Sequence, residues 1–124
     1  MLNAAIVGLG WWGKILTQTL AASDKIKVVK LADVDTEGGA AFAAELGIDF
    51  TTDFAAVLAD DAVQAVILAT PHSLHEEQII AAAGAGKHIF CEKPFCLNRA
   101  SALRAMAAIE AAGVQIAIGH ERRF

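Results

Sequence analysis

The sequence predicts an α/β fold, a doubly wound and mostly parallel sheet with helices on both faces in a three-layer αβα arrangement. Three observations predict it. Short apolar runs alternate with helix-periodic segments along the whole chain. Runs such as Val63 to Ala69 are rich in apolar residues without strict alternation, as strands covered on both faces must be. A glycine-rich turn joins the first run to the first helical segment.

Taken in order, Ala4 to Gly8 is a wholly apolar run ending in glycine and reads as the first strand. Trp12 to Ala22 carries Trp12, Ile15, Leu16 and Leu20 at helical spacing. Ile26 to Ala32 contains three β-branched residues and reads as the second strand. Thr36 to Leu46 is helical, capped by Asp35 and closed by Gly47, and a short strand is expected near Phe50. Asp53 caps a short helix through Leu58, and Val63 to Ala69 is a strand stopped by Thr70 and Pro71. Ser73 to Ala85 is a helix, His88 to Cys91 a strand, and Asn98 caps a helix running to Ala112, where Gly113 ends it. Val114 to Ile118 supplies the last strand.

Composition narrows the function. The 124 residues are 56% hydrophobic and 19% charged. Such an apolar balance predicts surface meant to be covered by another domain or subunit, and a homo-oligomeric full-length parent. No apolar run approaches the ~20 residues of a membrane span, so no membrane partner is expected. Net charge is −4 without a basic stripe, which argues against nucleic acid. Cys91 and Cys96 form no CxxC pair, and Met1 leads straight into a strand without a basic and apolar leader. A cytoplasmic protein is the expectation.

The motif GLGWWG, Gly8 to Gly13, stands between a strand and a helix. In that context the glycines differ in purpose. Gly8 makes the tight turn, Gly10 lets the backbone approach a pyrophosphate, and Gly13 lets helix and strand pack closely. The helix start offers N–H groups and partial positive charge to phosphates. Asp33 ends the second strand twenty positions beyond Gly13, placed to accept hydrogen bonds from the adenosine ribose. With Val34 and Asp35 following, nothing basic welcomes a 2′-phosphate, so NAD is expected over NADP. Thr70-Pro71-His72 and the GKHIFCEKP stretch lie at further carboxyl ends of strands, the edge where such sheets bind ligands. His72, His75 and Glu76 also have helical spacing for a metal, but sequence places no further ligand and no metal is expected.

Together, GLGWWG, the strand-ending Asp33, ATPHSLH, GKHIFCEKP and the terminal ERRF resemble the glucose-fructose oxidoreductase / inositol dehydrogenase / MocA family, over essentially the whole chain. The Glu92-Lys93-Pro94 triplet is the distinguishing part; His72 departs from the asparagine or threonine common there. The resemblance implies an NAD-binding Rossmann domain (residues 1–124) that lacks the family's second, substrate-binding domain of roughly 200 residues. It implies that Lys93 lies near nicotinamide and substrate hydroxyl as the catalytic residue, with Glu92 either holding Lys93 or touching the nicotinamide ribose, His75 near that ribose and Arg122 at the nicotinamide end. It also implies Leu9, Trp11, Val34, Thr70, Pro71 and His72 along the cofactor, and Trp11 toward the adenosine ribose. Trp12 has two readings, contact with the cofactor or core packing alone.

The implied activity is NAD-dependent oxidation of a hydroxyl on a sugar, polyol or related small molecule, for which the missing domain supplies the general base. The isolated chain is expected to bind cofactor without turnover. A non-catalytic NAD-sensing or corepressor-like member and an NAD-assisted glycoside-cleaving member are the alternatives.

Overall fold

The computed structural model describes residues 1–92 and 98–119. Lys93 and Arg122, two of the residues expected at the site, lie outside that range. Six strands form one parallel sheet in the order β3-β2-β1-β4-β5-β6: β1 Leu2–Val7, β2 Ile26–Ala32, β3 Asp49–Thr51, β4 Ala65–Leu68, β5 His88–Glu92 and β6 Ile116–Gly119. The helices are α1 Trp11–Leu20, α2 Thr36–Leu46, α3 Phe54–Ala59, α4 His75–Gly84 and α5 Arg99–Ala112, with a 3₁₀ turn at His72–Leu74. The expected fold class is the observed one, and the sheet is parallel throughout. β1 starts two residues earlier than its apolar run because Leu2 already pairs with Ile26.

Strand alternation splits the core in two. Ala5, Val7, Val66, Leu68, Ile89 and Cys91 meet Val57 of α3, Ile79 of α4 and Ile109 of α5 on one face. Ala4, Ile6, Leu31, Ala65 and Ile67 meet Leu16 and Leu20 of α1 and Ala43 of α2 on the other. That second face leaves an apolar groove of about 310 Å³ between α1 and the β5–β6 side, bounded by Leu16, Leu20, Phe90 and Ala117.

Polar side chains end most helices as expected. Asp35 accepts from Gly38 N, Asp53 from Ala55 N and Asn98 from Ser101 N. Among the described residues, the starts of α1 and α4 have no such side-chain cap, and both lie at the carboxyl edge of the sheet. The strand order reverses between β1 and β4, so this edge has a crevice there. No helix among the described residues is long and apolar enough to cross a membrane.

Candidate dinucleotide-binding site

The turn after β1 is fixed from both sides. Gly8 N donates to Ala32 O of β2 at 2.8 Å, and Ala69 N after β4 donates to Val7 O at 2.8 Å. Gly8 has φ 99°, and a Cβ there would stand 2.7 Å from Ala69 O, so both backbone shape and space demand glycine. A Cβ on Gly13 would overlap the Gly8 carbonyl oxygen, which is how closely α1 lies on the turn. Thr17 Oγ1, buried in α1, donates to Gly13 O at 2.8 Å and holds that turn of helix. Gly10 differs: beyond its chain neighbours, no atom of the described residues lies within 4 Å of where its Cβ would be. The protein itself does not require glycine at that point; the open space beside it does.

That space is a cleft of about 610 Å³ between the ends of β1, β2 and β4. Gly8, Leu9, Gly10, Trp11, Trp12, Asp33, Val34, Thr70 and Pro71, all expected from sequence, line it together. Asp33 bridges two segments of its wall. Its Oδ2 accepts from Leu9 N at 2.7 Å and its Oδ1 from Asp35 N at 3.2 Å, so the carboxylate is oriented from both ends. Trp11 is 77% exposed and Val34 90%, an unusual pair of apolar groups at one rim. The two indole rings stand 5.9 Å apart, tilted by 37°. Trp12 is half-buried, and its Nε1 is buried without a hydrogen-bond partner among the described residues. Its ring both packs and lines the cleft.

Other expected residues fall elsewhere. Gly13 lies beneath the turn and supports it. His75, expected near the ribose, is 0% exposed, and its ring lies inside the fold. Its Nε2 lies 3.1 Å from Thr70 O and its Nδ1 3.3 Å from Cys91 Sγ. The residue opens α4 on the face that also buries Ile79, Ala82 and Ala83, so its ring points inward to β5. Glu92 is likewise buried, at the end of β5. His72 contributes main chain to the 3₁₀ turn.

Sequence reasoning missed Thr52, Phe54, Leu74 and Gln78, which also line the cleft. Gln78 meets Thr70 Oγ1 at 2.5 Å. Thr52 and Phe54 follow the end of β3, so the rule that ligands bind at carboxyl ends of strands could have found them. Gln78 stands one helical turn after His75 and carried no motif of its own.

The shape and the open position at Gly10 fit an extended dinucleotide lying across the strand-order reversal. A family model described as an oxidoreductase family with an NAD-binding Rossmann fold, GFO_IDH_MocA, matches residues 2–120. The chain belongs to this family. It is 35% identical over 124 residues to 2,7-anhydro-N-acetylneuraminate hydratase of Escherichia coli K12, covering 100% of this chain and 33% of that protein. It is 36% identical over 125 residues to scyllo-inositol 2-dehydrogenase (NAD(+)) of Bacillus subtilis 168, covering 99% and 36%. The crystal structure of GenD2 from gentamicin A biosynthesis in complex with NAD superposes with a TM-score of 0.90 at 33% identity, over 95% of this chain and 34% of that one. The chain thus spans about a third of the length of the relatives it matches.

Proposed function

We propose that this chain is the nucleotide-binding domain of a two-domain, NAD-dependent oxidoreductase that oxidises a hydroxyl of a sugar, polyol or related small molecule. The observation that carries the reading is the Asp33 carboxylate, held by Leu9 N–H at the rim of a cleft that is open beside Gly10. Asp33 accepts hydrogen bonds from ribose hydroxyls and repels a 2′-phosphate, and exposed Val34 offers that phosphate no partner. NAD is therefore preferred over NADP. The uncapped start of α1 donates N–H groups to the pyrophosphate. Trp11 and Val34 flank the adenosine end.

NAD, when bound, supplies the hydride acceptor. Lys93, next in sequence after buried Glu92, holds the substrate hydroxyl and stabilises negative charge as it develops there. A second domain closes over the cleft, excludes water and brings the general base. Without it the chain binds cofactor and turns nothing over, because positioning and proton transfer are both lost. The likeness to a protein named a hydratase supports a second reading, in which the parent uses bound NAD without net consumption. NADH accumulation with a polyol panel, measured on a protein carrying both domains, separates the two.

Calorimetry on the 124-residue chain tests the cofactor assignment. Wild type should bind NAD in preference to NADP, and Asp33→Ser with Val34→Arg should shift that preference toward NADP by roughly tenfold or more. An unchanged preference in the double variant would remove Asp33 from the ribose site.

A further inference from the structure

Two side chains at the start of α4 line the cleft, Leu74 at its first boundary and Gln78 one turn further on. Spaced i and i+4, they share one side of the helix. Across the cleft stand Val34, after β2, and Thr52 and Phe54, after β3. The slot between these walls is mostly apolar, with Leu74 39% and Val34 90% exposed. A carboxamide in such a place is a recognition group, because a mostly apolar pocket takes its specificity from a few fixed polar atoms.

Thr70 fixes this one. Its Oγ1 lies 2.5 Å from Gln78 Oε1. A carboxamide oxygen only accepts, so the Thr70 hydroxyl is the donor, and so short a separation belongs to an O–H···O bond rather than an N–H···O bond. Gln78 Oε1 keeps a second lone pair, and its Nε2 has no partner among the described residues. An acceptor and a donor therefore stand side by side at the slot. Adenine presents the matching pair, an amino donor beside a ring-nitrogen acceptor. A purine with oxygen in place of that amino group sets acceptor against acceptor. Turning the carboxamide over would suit the oxygen, but it would also take Oε1 away from the Thr70 hydroxyl.

We propose that Gln78, oriented by Thr70, reads the edge of the purine and makes the cleft selective for adenine over 6-oxopurines. The inference rests on the dinucleotide reading of the cleft. With the pyrophosphate at the start of α1 and the ribose on Asp33, the base attached to that ribose enters the slot between Val34 and Leu74. Its flat faces meet the apolar walls, and its polar edge meets Gln78.

The test compares NAD with nicotinamide hypoxanthine dinucleotide, which carries oxygen in place of the 6-amino group, by calorimetry on the 124-residue chain. Wild type should bind NAD about fivefold or more tightly, the low end for a two-point contact with a base. Gln78→Leu keeps the bulk of the side chain and should bring the two ligands within about twofold, through weaker NAD binding. Thr70→Val should narrow the gap by the other route: the carboxamide can turn over, so the hypoxanthine dinucleotide gains affinity. A glutamine that merely packs would weaken both ligands together in Gln78→Leu and leave their ratio unmoved, which overturns the proposal. Equal affinity of wild type for the two also overturns it, while the Asp33 assignment, read from NAD against NADP, would stand. Failure of wild type to bind either ligand overturns the dinucleotide reading and this inference with it. If Gln78→Leu does not fold, the wild-type ratio and Thr70→Val still decide.

Discussion

The two edges of the sheet handle polar groups in opposite ways. At the amino edge Lys87 is buried just before β5, and its ammonium donates to Asp60 O at 3.0 Å and Val63 O at 2.6 Å. Both contacts tie the loop before β4 to the start of β5. At the carboxyl edge the glycine turn and Asp33 are held just as firmly, yet they frame open space. Among the described residues nothing faces Gly10 and no side chain caps the α1 start, and Trp11 and Val34 stand in solvent. The difference separates a structural edge from a binding edge: both are ordered by backbone contacts, and only one leaves its groups pointing into a cleft.

The largest effects come from the glycine turn and should split by position. Gly13→Ala drives a Cβ into the Gly8 carbonyl and forces α1 off the turn. A loss of about 3 kcal/mol in urea-unfolding stability is expected, at the upper end for overpacking. Gly10→Ala meets open space at a backbone φ of −68°, which alanine adopts freely. It should leave stability within about 0.5 kcal/mol, as surface changes do. NAD binding should nonetheless weaken by roughly tenfold or more, because the new methyl occupies the approach of the pyrophosphate. If the two variants behave alike, the distinction between supporting and binding glycines fails.

Lys87→Met should act in the reverse sense. It keeps the aliphatic stem but takes its donor from the buried Val63 carbonyl, while Asp60 O keeps the Val63 N–H, for a loss of about 1–3 kcal/mol. NAD affinity measured below the unfolding transition should not change. A matching loss of affinity would mean that the edges are coupled.

These contrasts also show what the sequence made legible. Asp35, Asp53 and Asn98 could be read as caps because capping is local chemistry, decided within three residues. The turn, Asp33 and Thr70 could be placed on one edge because parallel topology puts strand ends together. Even short β3 was expected near Phe50, where it pairs with Leu31. The burial of His75 was not legible, for the opposite reason. Whether a polar side chain at a helix start faces a ligand or the interior depends on the helix's rotation over the sheet, and no local pattern carries that. Trp12 kept both of its readings, since one ring can fill core space and line a cleft.

The smallest effect concerns the link between α4 and α5. Arg104 Nε lies 2.6 Å from Glu76 Oε2, and this guanidinium, helped by Ser101, holds the Glu76 carboxyl down to about 2. The folded state therefore binds this proton less readily than the unfolded chain. The pair's contribution is complete above the ordinary value of 4.5 and fades as pH falls toward 2. Exposure to solvent keeps it small. Comparing thermal unfolding of wild type and Glu76→Gln should show a gap at pH 7 that narrows through that window.

The most direct test of the central claim maps NAD onto the chain by backbone amide NMR. Saturating NAD should move the amides of Gly8 to Gly13, Asp33, Val34 and Thr70, while Leu2, Gly86 and His88 at the amino edge stay in place. Absence of shifts at the glycine turn, or a cluster of shifts around the groove between Leu20 and Phe90, would contradict it.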